Sequence, residues 1–216
     1  MADITYDELK EMIQDAVAHQ LRSVTDWHLG DPVYDDEGEP SSDLAGVAGF
    51  RELVGRQHWV NFKLWHVEDR ARRKDVDATV IADCKYAIDK LNQKRNDLIE
   101  RVDECLIGML TPLLPADGAE RYNTETVGAA LDRLSIQALK IYHMKEQCSR
   151  KDVDEGHVKQ CSDKVLTLQQ QHEDLTRAIV ELIEEYEAGT KKPKVYFQFK
   201  MYNDPSLNPE LYKNKN

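Results

Sequence analysis

The segment Trp65-His66-Val67-Glu68-Asp69-Arg70-Ala71-Arg72 places an imidazole, two carboxylates and two guanidinium groups within about two helical turns. His66 and Asp69 are three residues apart, as are Asp69 and Arg72, so each pair shares a helix face. That spacing suits general acid–base chemistry. His66 would move the proton, Asp69 would orient the ring, and Glu68 is a second carboxylate beside them. His66, Asp69 and Glu68 are the candidate catalytic residues. The bland alternative for a lone helical histidine is a packed or solvent-facing residue.

A second cluster runs from Asn92 to Asp103. Arg95 is suited to an anionic group, with Asn92 and Asn96 as flanking hydrogen-bonding groups. Glu100 and Asp103 have the E-x-x-D spacing with which one helix chelates a divalent cation, the one cofactor these residues suggest. The same spacing is common on solvated helix faces. No nucleophile elbow, P-loop or dinucleotide fingerprint occurs.

Helices must position these groups. Leu9, Ile13, Val17 and Leu21 follow helical spacing and predict an N-terminal helix from about residue 5 to 27. A loop rich in Pro, Gly and acidic residues follows, and Ser42 or Asp43 is the expected cap of a long helix reaching towards Lys74. Lys74-Asp75-Val76-Asp77 then breaks the pattern, with Asp77 capping a helix to about Leu110. Pro112 and Pro115 end that helix. Thr124 is the expected cap of the next helix. Lys151-Asp152-Val153-Asp154 repeats the earlier turn, and a last long helix closes at Gly189.

The repeated tetrapeptide marks a shift of 77 residues. At that offset His66 falls on His143, Arg73 on Arg150, Cys84 on Cys161, Gln93 on Gln170 and Asp97-Leu98 on Asp174-Leu175. We read a tandem duplication of a helical hairpin, with repeat one at about 44–110 and repeat two at about 124–188. The fold class is then all-α. It is a single domain, a four-helix bundle from two hairpins with pseudo-twofold symmetry, plus the N-terminal helix and an extended tail at 190–216.

The apolar stripe Ile81, Cys84, Ile88, Leu91, Arg95, Leu98, Val102 has one polar member. Its copy has His172 at the same place. Gln57, Asn61 and Glu68 interrupt the preceding stripe of repeat one, where repeat two is mostly apolar. An antiparallel hairpin turning near Asp77 sets Arg95 across from about residues 59–61, so Gln57, Asn61 and Arg95 should be neighbours inside the bundle. A guanidinium there needs partners or water. The readings are a polar network that fixes register, or a ligand pocket between helices. The candidate substrate-binding residues are Arg95, Asn92, Asn96, Asn61, Arg133, His143 and His172.

Composition narrows the class. The chain has 216 residues, is 41% hydrophobic and 32% charged, and carries a formal net charge of −11. That charge argues against nucleic acid as the main partner. No signal pattern or membrane-length apolar run occurs, and Cys84, Cys105, Cys148 and Cys161 have no zinc-type spacing. These features point to a cytoplasmic protein with reduced cysteines, without a membrane partner. The partner is expected to be a small-molecule ligand or another protein, a homodimer included.

Leu64-Trp65-His66-Val67-Glu68-Asp69-Arg70-Ala71-Arg72 resembles the W-H-x-E-D-x-A-R signature of the bacterial family known as domain of unknown function 4254. The segments Ile88–Glu100, Asp132-Arg133-Leu134-Ser135-Ile136, Leu139–Met144, and Lys200-Met201-Tyr202-Asn203-Asp204-Pro205 resemble that family too. The resemblance implies a soluble bacterial helical protein, of a kind often encoded near glycosyltransferases of surface-polysaccharide pathways, and it implies no established activity. The expected function is therefore a small-molecule enzyme or binder with a polar pocket in the bundle, for a sugar- or nucleotide-containing substrate. The competing expectation is a non-catalytic accessory protein for a glycosyltransferase. The aromatic tail Val195–Tyr202 should pack across the bundle as an extended segment, or serve as a strap.

Overall fold

Thr5 opens the first helix with a reciprocal capping box. Its hydroxyl accepts the Glu8 amide at 3.2 Å, and the Glu8 carboxylate accepts the Thr5 amide at 2.8 Å. The computed structural model describes residues 4–30, 41, 43–199, 201 and 204–213. It contains α1 (Tyr6–Leu29), α2 (Gly46–Ala71), α3 (Ala78–Leu110), α4 (Val127–Cys148), α5 (Glu155–Glu187) and the short α6 (Pro209–Tyr212). The described residues contain no strand, and no helix among them is long and apolar enough to cross a membrane. The acidic loop at 34–39, Ser42, and Lys200, Tyr202 and Asn203 lie outside the described residues.

Caps moved from their expected places for local reasons. Gly46 takes a φ of +64°, a left-handed geometry suited to glycine, so α2 starts there and not after Asp43. Thr126, not Thr124, caps α4 by accepting the Ala129 amide at 3.1 Å. Gly189 closes α5 with φ of +67° in a Schellman turn. The Thr190 amide reaches the Glu185 carbonyl at 3.0 Å, and the Gly189 amide reaches that of Tyr186 at 3.1 Å.

The 77-residue offset recurs in local structure. The Arg73–Asp75 ion pair at 2.7 Å has its counterpart in Arg150–Asp152 at 2.6 Å. The Gln93–Asp97 hydrogen bond at 2.7 Å is matched by Gln170–Asp174 at 3.0 Å. The N-caps Asp77 and Asp154, and the helices α3 and α5 that follow them, are also in register.

The hairpins meet through their first helices. His58 lies against Ser135, and His66 against His143, each pair 77 residues apart. Two such meetings eight residues apart require α2 and α4 to run parallel. Gln20 meets His58, and His28 meets His66, which makes α1 parallel to both. The return helices α3 and α5 flank this trio, chiefly on α2 and α4 respectively. The N-terminal helix expected beside the two hairpins packs against α2, α4 and α5 and is part of the core of the bundle.

One register runs through the trio in steps of about one helical turn. Met12, Phe50 and Val127 are buried in one cluster, as are Ala16, Val54 and Leu131. Val24, Phe62 and Leu139 form part of a second cluster. Between them lies Gln20–His58–Ser135, and beyond them His28–His66–His143. Apolar layers supply the usual burial energy, about 1.5–3 kcal/mol for each fully buried large side chain. Leu21, expected in the core stripe, is 39% exposed because the buried face of α1 runs through Gln20 and Val24 instead.

α3 and α4 approach closely at Gly128, where a Cβ would lie 2.6 Å from the Ile99 carbonyl oxygen. Beyond α5 the chain is extended. The Lys192 amide donates to the Arg121 carbonyl at 2.8 Å, and the Gln198 amide to the Glu100 carboxylate at 2.8 Å. The tail therefore lies across the bundle, with Phe197 and Phe199 exposed.

Candidate functional site

Asp132 on α4 is 4% exposed and gathers donors from two other helices. Asn61 donates to its Oδ1 at 3.0 Å and Arg95 Nε to the same oxygen at 2.7 Å. Gln57 also donates to Oδ1, and Arg95 Nη2 to Oδ2. The fork of Arg95 on both carboxylate oxygens is the strong bidentate form of this interaction. The anion beside it holds the Arg95 guanidinium charged against the opposing effect of burial. Gln57, Asn61 and Arg95 are therefore neighbours, as the hairpin register requires, and a carboxylate from the other hairpin joins them.

The network continues into the parallel trio. Asn61 Nδ2 donates to Ser135 Oγ at 2.9 Å, and Ser135 Oγ lies 2.6 Å from His58 Nδ1. His58 Nε2 lies 3.0 Å from the Gln20 carbonyl, which only accepts. Nε2 therefore carries the proton, Nδ1 accepts from the Ser135 hydroxyl, and the ring is neutral. His58 has no solvent exposure, and burial pushes its pKa down to about 3. Gln20 Nε2 completes the connection to α4 by donating to the Leu131 carbonyl at 3.1 Å.

This network has an open side. A cleft of about 330 Å³ between the hairpins is lined by Asn61, Trp65, Glu68, Asp69, Asn92 and Arg95, among others. The Arg95 side chain keeps 26% of its exposure there, whereas Asp132 behind it keeps 6%. Arg72, on the same rim, is ion-paired to Glu68 at 2.9 Å. A larger cleft of about 690 Å³ shares Trp65 and Asp69 and continues to His143, Lys140 and Lys164.

The expected site residues divide. Glu68, Asp69, Asn61, Asn92 and Arg95 come together on the cleft. His66 does not line it and forms no hydrogen bond to Asp69 among the described residues; it faces His28 and His143. Burial, then the two neighbouring imidazoles, lower the pKa of His66, with Asp69 acting weakly the other way. Asn96 is half-buried on α3 outside the cleft lining. Arg133 is exposed and paired with Glu125 at 3.0 Å. His172 is buried at a separate cleft with Tyr142 and Lys145, and burial lowers its pKa.

Glu100 and Asp103 have separate partners. Glu100 holds the tail at Gln198. Asp103 is buried and accepts the Gly128 amide at 2.7 Å at the start of α4, and burial lifts its pKa to about 6. Among the described residues they belong to no cluster with metal-ligand spacing; His28, His66 and His143 form one.

Sequence reasoning gave no role to His58, Gln20 or His28, and named Asp132 and Ser135 only as members of a family-like segment. One signal was present for His58 and Ser135, which stand 77 residues apart and so are copies of one position. Asp132 stands beside Leu131 and falls off a narrow apolar stripe. α4 buries a wide face because α1, α2, α3 and α5 all pack on it.

A family model, Protein of unknown function (DUF4254), matches residues 51–195, more than half of the 216-residue chain. No curated protein and no solved structure matches it. The matched residues take in the cleft and the Asp132 network except for Gln20 on α1.

Proposed function

We propose that this chain, which belongs to the DUF4254 family, is a small-molecule enzyme or binder whose ligand is a sugar bearing an anionic group. The observation that carries this reading is Arg95. Two of its nitrogens are fixed on buried Asp132, while the side chain remains partly exposed in a cleft. A cation held by its own counter-ion loses little further freedom when it meets a phosphate or carboxylate. Glu68, Asp69, Asn61 and Asn92 offer paired acceptors and amides suited to vicinal hydroxyls, and Trp65 supplies an apolar wall. The cleft volume is at the small end for ligand sites, which run from about 300 Å³ upward. One sugar ring with a phosphate suits it, and a nucleotide sugar would also need the adjoining cleft past Trp65 and Asp69. A place near glycosyltransferases of surface-polysaccharide pathways, implied by the family resemblance, is consistent with such a ligand. For catalysis the groups on the cleft are Asp69 and Glu68, with His66 outside it.

Thermal melting with hexose phosphates, nucleotide sugars and neutral sugars tests this. A ligand bound by the native state raises the midpoint in proportion to its occupancy. Anionic sugars should raise it and neutral sugars should not. Asn92→Ala, which leaves the Asp132 network intact, should reduce the response. No shift from any anionic sugar would contradict the proposal.

The accessory reading has two observations in its favour: among the described residues Arg95 pairs only with the Asp132 carboxylate, and the tail presents aromatic rings. Tyr196, Phe197 and Phe199 are 43%, 51% and 80% exposed on the tail, an aromatic surface suited to a partner protein. That reading leaves the cleft inert throughout the ligand panel.

A further inference from the structure

His28, His66 and His143 occupy the last layer of the parallel trio, one from each helix. They stand eight residues beyond Gln20, His58 and Ser135, so the helix register itself brings them together. One ring nitrogen of each lies within 4.8 Å of one from each of the others. The ring centroids are 5.2 Å apart for His28–His66, 5.0 Å for His28–His143 and 5.8 Å for His66–His143.

Two of the rings are oriented from behind. His28 Nδ1 lies 2.6 Å from the Val24 carbonyl, so it carries the proton and leaves Nε2 as the lone-pair nitrogen. His143 Nδ1 lies 2.6 Å from the Glu146 carboxylate. The Nε2 atoms of both are buried and have no hydrogen-bond partner. Buried polar atoms are nearly always paired, so two unpartnered nitrogens in one cluster are suited to a metal ion or a hydrogen-bond donor. A backbone carbonyl or carboxylate on the far nitrogen is the usual arrangement behind a metal-bound imidazole. Stacking fixes the ring planes further. Tyr142 lies on His28 at 4.1 Å and Trp65 on His143 at 4.7 Å.

We propose that His28, His66 and His143 form a three-histidine site for a divalent first-row transition metal, Zn²⁺ being the natural probe. Imidazole ligands select Zn²⁺, Ni²⁺, Cu²⁺ or Fe²⁺ over Mg²⁺ and Ca²⁺. Zinc–nitrogen bonds of about 2.0–2.1 Å put tetrahedral ligand atoms ~3.4 Å apart. Bringing the nitrogens from 4.8 Å to that spacing needs only modest rotation of the imidazoles, whose χ2 wells are broad. His66, the most exposed of the three, leaves one side of the site open, which is the form of a site that keeps a position for water or substrate. Aromatic packing alone accounts for the ring stacking. It does not account for the two unpartnered nitrogens.

The test is titration of Zn²⁺ into the chelator-stripped full chain, read by calorimetry and melting, with Co²⁺ as a spectroscopic probe. One equivalent should bind and raise the midpoint, and Co²⁺ should give tetrahedral visible absorption. Glu146→Gln should weaken binding by about 10–100-fold, the usual effect of losing a carboxylate behind a ligand histidine. His66→Ala, at an exposed position, should fold and weaken it further. His157 and Cys161 are 3.5 Å apart and offer a competing site, so His66→Ala is the discriminating variant. Absence of binding, or binding unchanged in both His66→Ala and Glu146→Gln, would overturn the proposal.

Discussion

Asp132→Ala should lower the free energy of unfolding by about 3–5 kcal/mol, the range for breaking a buried charge pair from one side. The carboxylate accepts from Gln57, Asn61 and Arg95 at once, and all three lose their common partner. Water reaches Arg95 from the cleft, but Gln57, 1% exposed, must find another acceptor inside the bundle, and Asn61, 3% exposed, keeps only Ser135. A loss of that size is a large fraction of the roughly 5–15 kcal/mol that holds a typical domain together. Asp132→Asn keeps the shape and one acceptor, and should cost less. Urea denaturation followed by circular dichroism measures both. An Asp132→Ala loss below about 1 kcal/mol would mean that the network is not holding the hairpins together.

The second large effect is acid sensitivity from His58. Its folded pKa is about 3 against an ordinary 6.5, so below pH 6.5 the unfolded chain takes up a proton that the folded chain refuses. Stability from this group is full above pH 6.5 and is lost as pH falls through about 3. The loss is about 1.4 kcal/mol per pH unit, on the order of 4–5 kcal/mol in total. Asp103 has the opposite sign. Its folded pKa of about 6 lies above the ordinary 3.8, so its contribution is full below pH 3.8 and is lost as pH rises through 6. The two offset between about pH 6 and pH 4, and His58 acts alone below that. His58→Gln stays neutral at every pH. The stability advantage of the unaltered chain over that variant should therefore shrink steadily as pH falls from 6.5 towards 3. A difference independent of pH would show that His58 titrates normally in the fold.

The hairpins and their internal register were legible in the sequence because a hairpin is local. Once Asp77 is the turn, counting residues along two antiparallel helices puts Arg95 opposite Asn61. The same counting cannot say which helices meet across hairpins. Whether α2 lies beside α4 in parallel, and where α1 inserts, depends on how separate apolar faces dock. His28, Gln20 and Asp132 therefore stayed hidden, although His58 with Ser135 and His66 with His143 carried the 77-residue offset in plain view. The Glu100–Asp103 spacing shows the opposite limitation. E-x-x-D specifies one face of a helix, and Asp103 uses that face to accept the Gly128 amide where α4 begins. His66 and Asp69 part company for a similar reason. Residues three apart on one helix are near each other, yet they are also angled apart. Here the neighbouring helices draw Asp69 to the cleft and His66 to the other histidines.

Arg95, braced by Asp132, is proposed as the cation that meets a ligand in the cleft. Calorimetric titration of a hexose phosphate into the unaltered chain and into Arg95→Met tests it most directly. Methionine keeps an unbranched, flexible stem at that position and removes the charge. Binding to the unaltered chain should be measurable, and it should be lost in an Arg95→Met variant that retains native helicity. Equal binding to both proteins would contradict it.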